Sequence, residues 1–339
     1  MKSKKTLVLL VVALLLVTVV GCGEGGSSGK SEDTVTLRIS HVLAEDHPTH
    51  TTLVDFFKPE IEKNSNGTIK VEIYPNAQLG SDRQAIESVS MNQLEMTVPG
   101  GPVLSGFYEP YMVYDLPFLF SSREAAYAAC DGELREELSK GLLEEHNVRI
   151  LGIGENGFRH TTTNKGPINT PSDLKGMKIR TMESPLHLAT FRSFGANPTP
   201  MGFNELFTAL QQGTVDGQEN PIAIIYTSKL YEVQKYMVMD GHYYVNCPYL
   251  INEDFWNSLS ADQQKVVQEA TDLTVAEQRK ALAAQEEEYL VKLEEAGLKI
   301  NRLSDENKQL FIDAAQVVYP EFTNKFGTDL VDLAQSYNK

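Results

Sequence analysis

The sequence predicts an α/β protein of two domains crossed by one long helix, and three observations carry that expectation. Strand-like alternation and helix-like periodicity take turns along the chain, the pattern of a sheet covered by helices. The length of 339 residues exceeds what one domain of usual size holds. Residues 261–296 contain neither proline nor glycine, and a helix of that length spans about 54 Å at 1.5 Å per residue, more than one small domain is wide.

The first 33 residues stand apart from this pattern. Lys2, Lys4 and Lys5 precede an apolar run over residues 7–20 that ends at Gly21-Cys22. A basic start, a short apolar core and a small residue before the cut describe a secretory signal. At about 14 residues the run falls short of the roughly 20 that cross a bilayer. Cysteine directly after glycine resembles the lipobox of bacterial lipoproteins. That resemblance implies a signal peptide over 1–21 and lipidation of Cys22, with a Gly/Ser-rich tether over 22–33. Cleavage removes three lysines and moves the formal net charge from −16 to −19. So acidic a chain repels nucleic acid and anionic lipid, which leaves the lipid as its membrane attachment. An anion must then be captured by a local positive pocket. Cys130 and Cys247 remain, expected as two separate buried thiols.

Elements follow in order. Val35, Leu37 and Ile39 alternate with polar neighbours, as do Ile69, Val71 and Ile73, giving two half-buried strands. Between them Pro48 opens a helix that residues 64–67 close. Ser81 and Asp82 start a helix reaching about Met91, and residues 94–98 form a strand. Residues 123–145 read as one helix, and 148–154 as a buried strand. Thr170-Pro171 is a cap with a first-turn proline, and Gly195 and Gly213 each stop a helix. Ser260 and Gln263 form a capping box ahead of the long helix, which Gly297 ends. The apolar positions of that helix keep no clean heptad, so a coiled-coil dimer is not expected and a monomer is.

The stretch over residues 170–221 carries the chemistry: TPSDLKGMKIRTMESP, a short helical pattern, then FNELFTALQQGTVDGQENP. Arg180 ends a short strand. In open α/β sheets ligands sit beyond the carboxyl ends of strands, and a guanidinium offers a planar fork of donors that matches a carboxylate. Arg159 follows the buried strand through Glu155-Asn156-Gly157-Phe158 and is read the same way.

The motifs KIR (178–180), DGQENP (216–221), GFR (157–159) and QLG (78–80) together resemble the solute-binding subunits of tripartite ATP-independent periplasmic (TRAP) transporters, the dicarboxylate-receptor family. The resemblance spans about residues 35–335. It implies a two-lobe periplasmic-binding-protein-like α/β fold with a ligand cleft between the lobes and a long helix bracing both. Lobe I would take 34–157 with about 246–285, and lobe II 158–245 with about 286–315. A helical segment over about 305–339 would pack across them. Arg180 and Asn220 would hold a carboxylate, with Arg159 supporting. The implied partners are a small organic acid and the TRAP membrane subunits, and the implied location is extracytoplasmic.

Further candidates lie near these motifs. Glu155, Asn156 and Glu183 sit close in sequence to the arginines and would repel an anion unless they accept hydrogen bonds from its hydroxyls, which hints at a hydroxylated acid. Each glutamate has the plainer option of neutralising an arginine. Asp82 suits a hydroxyl or amine, or else only caps its helix. Gly100 and Gly101 permit close backbone approach, and His41 ends the first strand. No nucleophile elbow, phosphate-binding loop or dinucleotide fingerprint appears, so no enzyme and no cofactor are expected. His41, His47 and His50 are the only clustered histidines, read as caps or surface groups rather than a metal site. The readings left open beside transport are an extracellular enzyme acting on acidic sugars and a sensory receptor for a signalling partner.

Overall fold

The computed structural model describes residues 34–338; the signal, Cys22 and the tether lie outside the described residues. Ten strands form two sheets that share one strand. In chain order they are β1 (Val35–Ser40), β2 (Ile69–Tyr74), β3 (Met96–Thr97), β4 (Val148–Thr163), β5 (Lys178–Thr181), β6 (Asn197–Pro200), β7 (Gly217–Pro221), β8 (Tyr236–Met239), β9 (Tyr244–Asn252) and β10 (Lys299–Arg302). The first sheet runs β2-β1-β3-β9-β4, parallel from β2 to β3 and antiparallel beyond. The second runs β6-β5-β7-β4-β8-β10, with β4 antiparallel to β7 and β8.

β4 is the main departure from expectation. Its apolar run continues nine residues beyond Gly154 through a polar stretch that alternation does not flag, so Arg159 lies within a strand rather than after one. The register against β9 shifts between Glu155 and Gly157, a β-bulge, and Gly157 takes φ +111°. The predicted helix over 123–145 is likewise two helices, Arg123–Asp131 and Glu133–His146, parted at Gly132. A Cβ on Gly132 would stand 2.5 Å from the Tyr337 hydroxyl, so packing of the C-terminal segment fills the gap. Between β1 and β2 the helical stretch contains a π-helical turn, Leu53–Phe57.

The long helix covers Ala261–Glu295 and is closed at its start by the predicted capping box. Gln263 N donates to Ser260 Oγ (3.3 Å) and Ser260 N to Gln263 Oε1 (2.9 Å), a cap that contributes about 1 kcal/mol. Its first half places Val267, Ala270 and Val275 against Leu37, Ile39 and Val71 of the first sheet. Its second half places Leu282, Leu290 and Leu293 against Met237 of the second sheet and against Ile222 and Ile225 of the short helix Ile222–Thr227 that follows β7. The C-terminal helices do the converse on the other side: Phe311 and Ala315 join a core with Ile179 and Phe191, while Phe322 and Val331 join one with Leu138 and Ile150. No helix among the described residues is long and apolar enough to cross a membrane.

Candidate functional site

A partly open cavity, with about 530 Å³ of empty space including its opening to solvent, lies where the two sheets meet, walled by Asp82, Gly100 and Asn156 on one side and by Arg159, Arg180 and Asn220 on the other. Arg180 arrives on the carboxyl end of β5 and is 2% exposed. Its Nε and Nη2 both donate to the Met201 carbonyl, at 3.1 and 2.8 Å, and Phe203 lies below the guanidinium. Nη1 has no partner. Burial and the neighbouring Arg159 lower the guanidinium pKa to about 10, still charged at neutral pH.

Arg159 is fully buried and is held differently. Nε pairs with Glu219 Oε2, and Nη2 donates to Glu219 Oε1 (2.9 Å), to the Glu219 carbonyl and to Asn220 Oδ1 (3.1 Å). Again Nη1 has no partner. Glu219 is itself buried, and Arg159, with His187 and His242, overcomes the burial penalty and keeps its carboxylate well below the usual range. His242 lies 3.2 Å from Glu219 Oε2 and 3.0 Å from Asp240 Oδ2. Burial opposes charge on this imidazole, but the two carboxylates prevail and raise its pKa to about 9. Arg159 thus belongs to a buried network of paired charges, whereas Arg180 has no ion-pair partner within contact range among the described residues. Electrostatically, Arg180 is the free cation of the cavity.

The facing wall is acidic and amide. Asp82 is the first residue of the helix Asp82–Ser90; Ser81, not Asp82, is its cap. Asp82 Oδ2 accepts from the Gly100 amide at 3.2 Å, and its Oδ1 and the Asn156 Oδ1 are buried without partners. Burial pushes the Asp82 pKa up to about 7, against the pull of the Gly100 amide and Arg180. Orphaned donors on one wall and orphaned acceptors on the other describe a site completed by a ligand bearing both kinds of group.

Comparison with known proteins agrees with this geometry. A model of the bacterial extracellular solute-binding proteins, family 7 (DctP), matches residues 39–325. The chain belongs to this family. Three solved structures of such receptors are similar to it. A sugar acid binding protein from Advenella mimigardefordensis, in complex with galactonate, has 33% identity and TM-score 0.87, covering 90% of this chain and 98% of its own. A TRAP periplasmic solute binding protein from Polaromonas sp. JS666, bound to D-erythronate, has 34% identity and TM-score 0.85, covering 90% and 99%. One from Sulfurospirillum deleyianum, with bound succinate, has 31% identity and TM-score 0.85, covering 90% and 99%. The family is one of binding proteins rather than enzymes, with the two-lobed α/β fold, and its place is extracytoplasmic.

In this DctP-family receptor the remaining sequence candidates divide. Glu183 and Gly100 reach the cavity; a Cβ on Gly100 would stand 2.6 Å from Met182 Cε. Glu155, Gly101 and His41 do not line it. The Glu155 carboxylate turns away to Arg123 (2.7 Å) and the Tyr127 hydroxyl, neutralising an arginine other than the two expected. Gly101 is needed by packing, since a Cβ there would stand 2.3 Å from Asn246 Oδ1. His41 accepts from Leu43 N through Nδ1 (3.2 Å) and lies 3.0 Å from His50, and burial with the neighbouring His50 and His47 lowers its pKa to about 3. His47 caps its helix, and among the described residues no three His, Cys, Asp or Glu side chains are grouped to hold a metal ion. Cys130 and Cys247 are both free and buried. Missing from the sequence reading were Glu219 and the apolar floor of Met182, Met201 and Phe203. Glu219 had a signal: an acidic residue inside a wholly buried strand requires a buried cation.

Proposed function

We propose that this chain captures a small carboxylate, of the sugar-acid or four-carbon dicarboxylate type, and delivers it to the membrane subunits of a TRAP transporter. The observation that carries the reading is the pair of buried guanidinium nitrogens without partners among the described residues, Nη1 of Arg159 and Nη1 of Arg180, on two residues that line one cavity. Arg180 anchors the carboxylate through Nη1 and the remaining hydrogen of Nη2; Arg159 and Asn220 support it. Similar receptors bound to galactonate, D-erythronate and succinate support the same ligand class. Residues from both sheets wall the cavity, so a ligand that touches both favours the closed arrangement, and closure is a population shift toward the state it binds better. No bond of the ligand is made or broken. The chain works as a monomer held at the outer face of the membrane by lipid on Cys22.

A thermal-shift screen against organic acids tests this. A ligand at a hundred times its Kd adds about 2.7 kcal/mol of stability, which raises the melting temperature by a few degrees, and the recovered ligand is unchanged. Failure of every sugar acid, dicarboxylate and keto acid to stabilise the protein, or conversion of the ligand, overturns the proposal.

A further inference from the structure

Four side-chain atoms on the cavity wall are buried without partners, and they are segregated. The donors, Nη1 of Arg159 and of Arg180, come from β4 and β5; the acceptors, Oδ1 of Asp82 and of Asn156, come from the start of the helix Asp82–Ser90 and from the bulge of β4. The charged residues on the wall are Asp82, Glu183, Arg159 and Arg180. We propose that Asp82 is a specificity-determining residue that accepts a hydroxyl of the ligand and excludes a second carboxylate, so that the receptor takes hydroxylated acids bearing one carboxylate and rejects unbranched dicarboxylates. This rests on the proposed capture of a carboxylate by Arg180.

The charge on the wall is the argument. A dianion brings two negative groups to a cavity where, among the described residues, Arg180 is the one lining cation without an ion-pair partner in contact, because the charge of Arg159 is committed to Glu219. With one carboxylate at Arg180, the far end of a four-carbon chain meets Asp82 and Asn156. The Gly100 amide, the backbone donor on that side, already donates to Asp82 Oδ2. With Asp82 ionised, a carboxylate there finds an acceptor where it needs a donor, and two carboxylates held together away from water repel strongly. A hydroxyl reverses the sign of the contact. It donates to Asp82 Oδ1, and a second hydroxyl donates to Asn156 Oδ1, leaving neither oxygen orphaned. A site built to receive hydroxyl hydrogens discriminates against analogues without them far more sharply than an apolar pocket does.

Calorimetric titration of the purified protein with D-erythronate, D-galactonate, succinate and 4-aminobutyrate tests the assignment. Erythronate and succinate have the same chain length; erythronate carries hydroxyls at C2, C3 and C4 where succinate has two methylenes and a second carboxylate. The expected result is at least one aldonate binding a hundredfold or more tighter than succinate. Asp82→Asn, which keeps size and removes charge, should shrink that ratio at least tenfold by weakening the aldonate and strengthening succinate; Asp82→Ser should shrink it likewise if the asparagine variant does not fold. Succinate binding as tightly as the aldonates to the natural protein, a ratio unchanged within threefold in the folded variant, or tighter binding of 4-aminobutyrate than of both aldonates would each overturn it. Arg180→Ala separates the two proposals: if it abolishes succinate binding while succinate outcompetes the aldonates, carboxylate capture stands and the role of Asp82 falls. If none of the acids binds, both fall.

Discussion

Arg159 and Glu219 form an ion pair with neither side chain exposed: the carboxylate takes Nε and Nη2 of the guanidinium, and Nη1 is left without a partner among the described residues. The pair therefore fixes the arginine through two of its nitrogens and leaves the third unbonded. Arg180 is held instead by a neutral carbonyl, that of Met201. This difference separates what the two arginines do when removed.

Arg180→Ala should weaken binding of the carboxylate by about a hundredfold to ten-thousandfold, since two charge-assisted hydrogen bonds contribute roughly 3–6 kcal/mol. Arg180→Lys should restore part of this, keeping charge without the planar fork. Calorimetry with the identified ligand measures both; binding within threefold of the original would remove Arg180 as the anchor.

Arg159→Ala should behave as a stability mutation first. It leaves Glu219 buried beside His242 without its guanidinium, and breaking a buried pair destabilises by about 3–5 kcal/mol. The melting temperature should fall markedly even without ligand. A variant that melts like the original while losing affinity would show that the network does not need the arginine.

The Asp82 pKa of about 7 makes ligand affinity depend on pH in a defined direction. The groups acting on it are the Gly100 amide and Arg180, which favour the carboxylate, and burial and Glu183, which oppose it; Arg159 shares the cavity. A hydroxyl donates more strongly to the carboxylate than to the protonated acid, so the contact with the ligand hydroxyl should be strongest above pH 7 and weaken as pH falls through 7. The effect on folding runs the other way. Because its folded pKa lies above the ordinary 3.8, Asp82 binds a proton more readily in the native state, and its contribution to stability rises as pH drops from 7 toward 4. Melting curves of the original protein and Asp82→Asn across pH 4–8 isolate that contribution. A gap between them that does not change with pH would show that Asp82 does not titrate there.

Ala281→Pro, in the middle of the long helix between the parts that pack on the two sheets, should cost about 3 kcal/mol. Because both cores use this helix, the loss should appear as one cooperative transition at lower temperature. Two resolved transitions, one unshifted, would mean that the sheets fold independently.

Cys22→Ala should release the protein from the membrane fraction or leave its signal uncleaved. Unchanged membrane association with normal processing would rule out lipidation at that cysteine.

Much of the site was legible because its key residues are chemically costly where they sit. An arginine closing the apolar-alternating strand 178–181 has few reasons to be there other than an anion, and the structure does place it on the cavity wall. The cap at Ser260 and the stop at Gly297 were readable because they are local. What escaped was set by distant partners. The direction in which Glu155 points depends on Arg123 and Tyr127, about 30 positions away in sequence. The break at Gly132 depends on Tyr337, at the far end of the chain. The extension of β4 beyond Gly154 depends on β7 and β8, which pair with its polar residues and so supply what alternation alone does not signal.

One length of backbone, β4, is a full member of both sheets, paired with β9 as far as Phe158, with β7 from Arg159 and with β8 from Thr161. The two sheets that meet at the cavity are thus joined through one strand. Two of the wall residues, Asn156 and Arg159, lie on it, at and just beyond the bulge from Glu155 to Gly157. Asn156, one of the orphaned acceptors, is the middle residue of that bulge. Of the three bulge residues Asn156 alone lines the cavity, so a ligand that bonds to it would touch the strand that joins the two sheets at its irregularity.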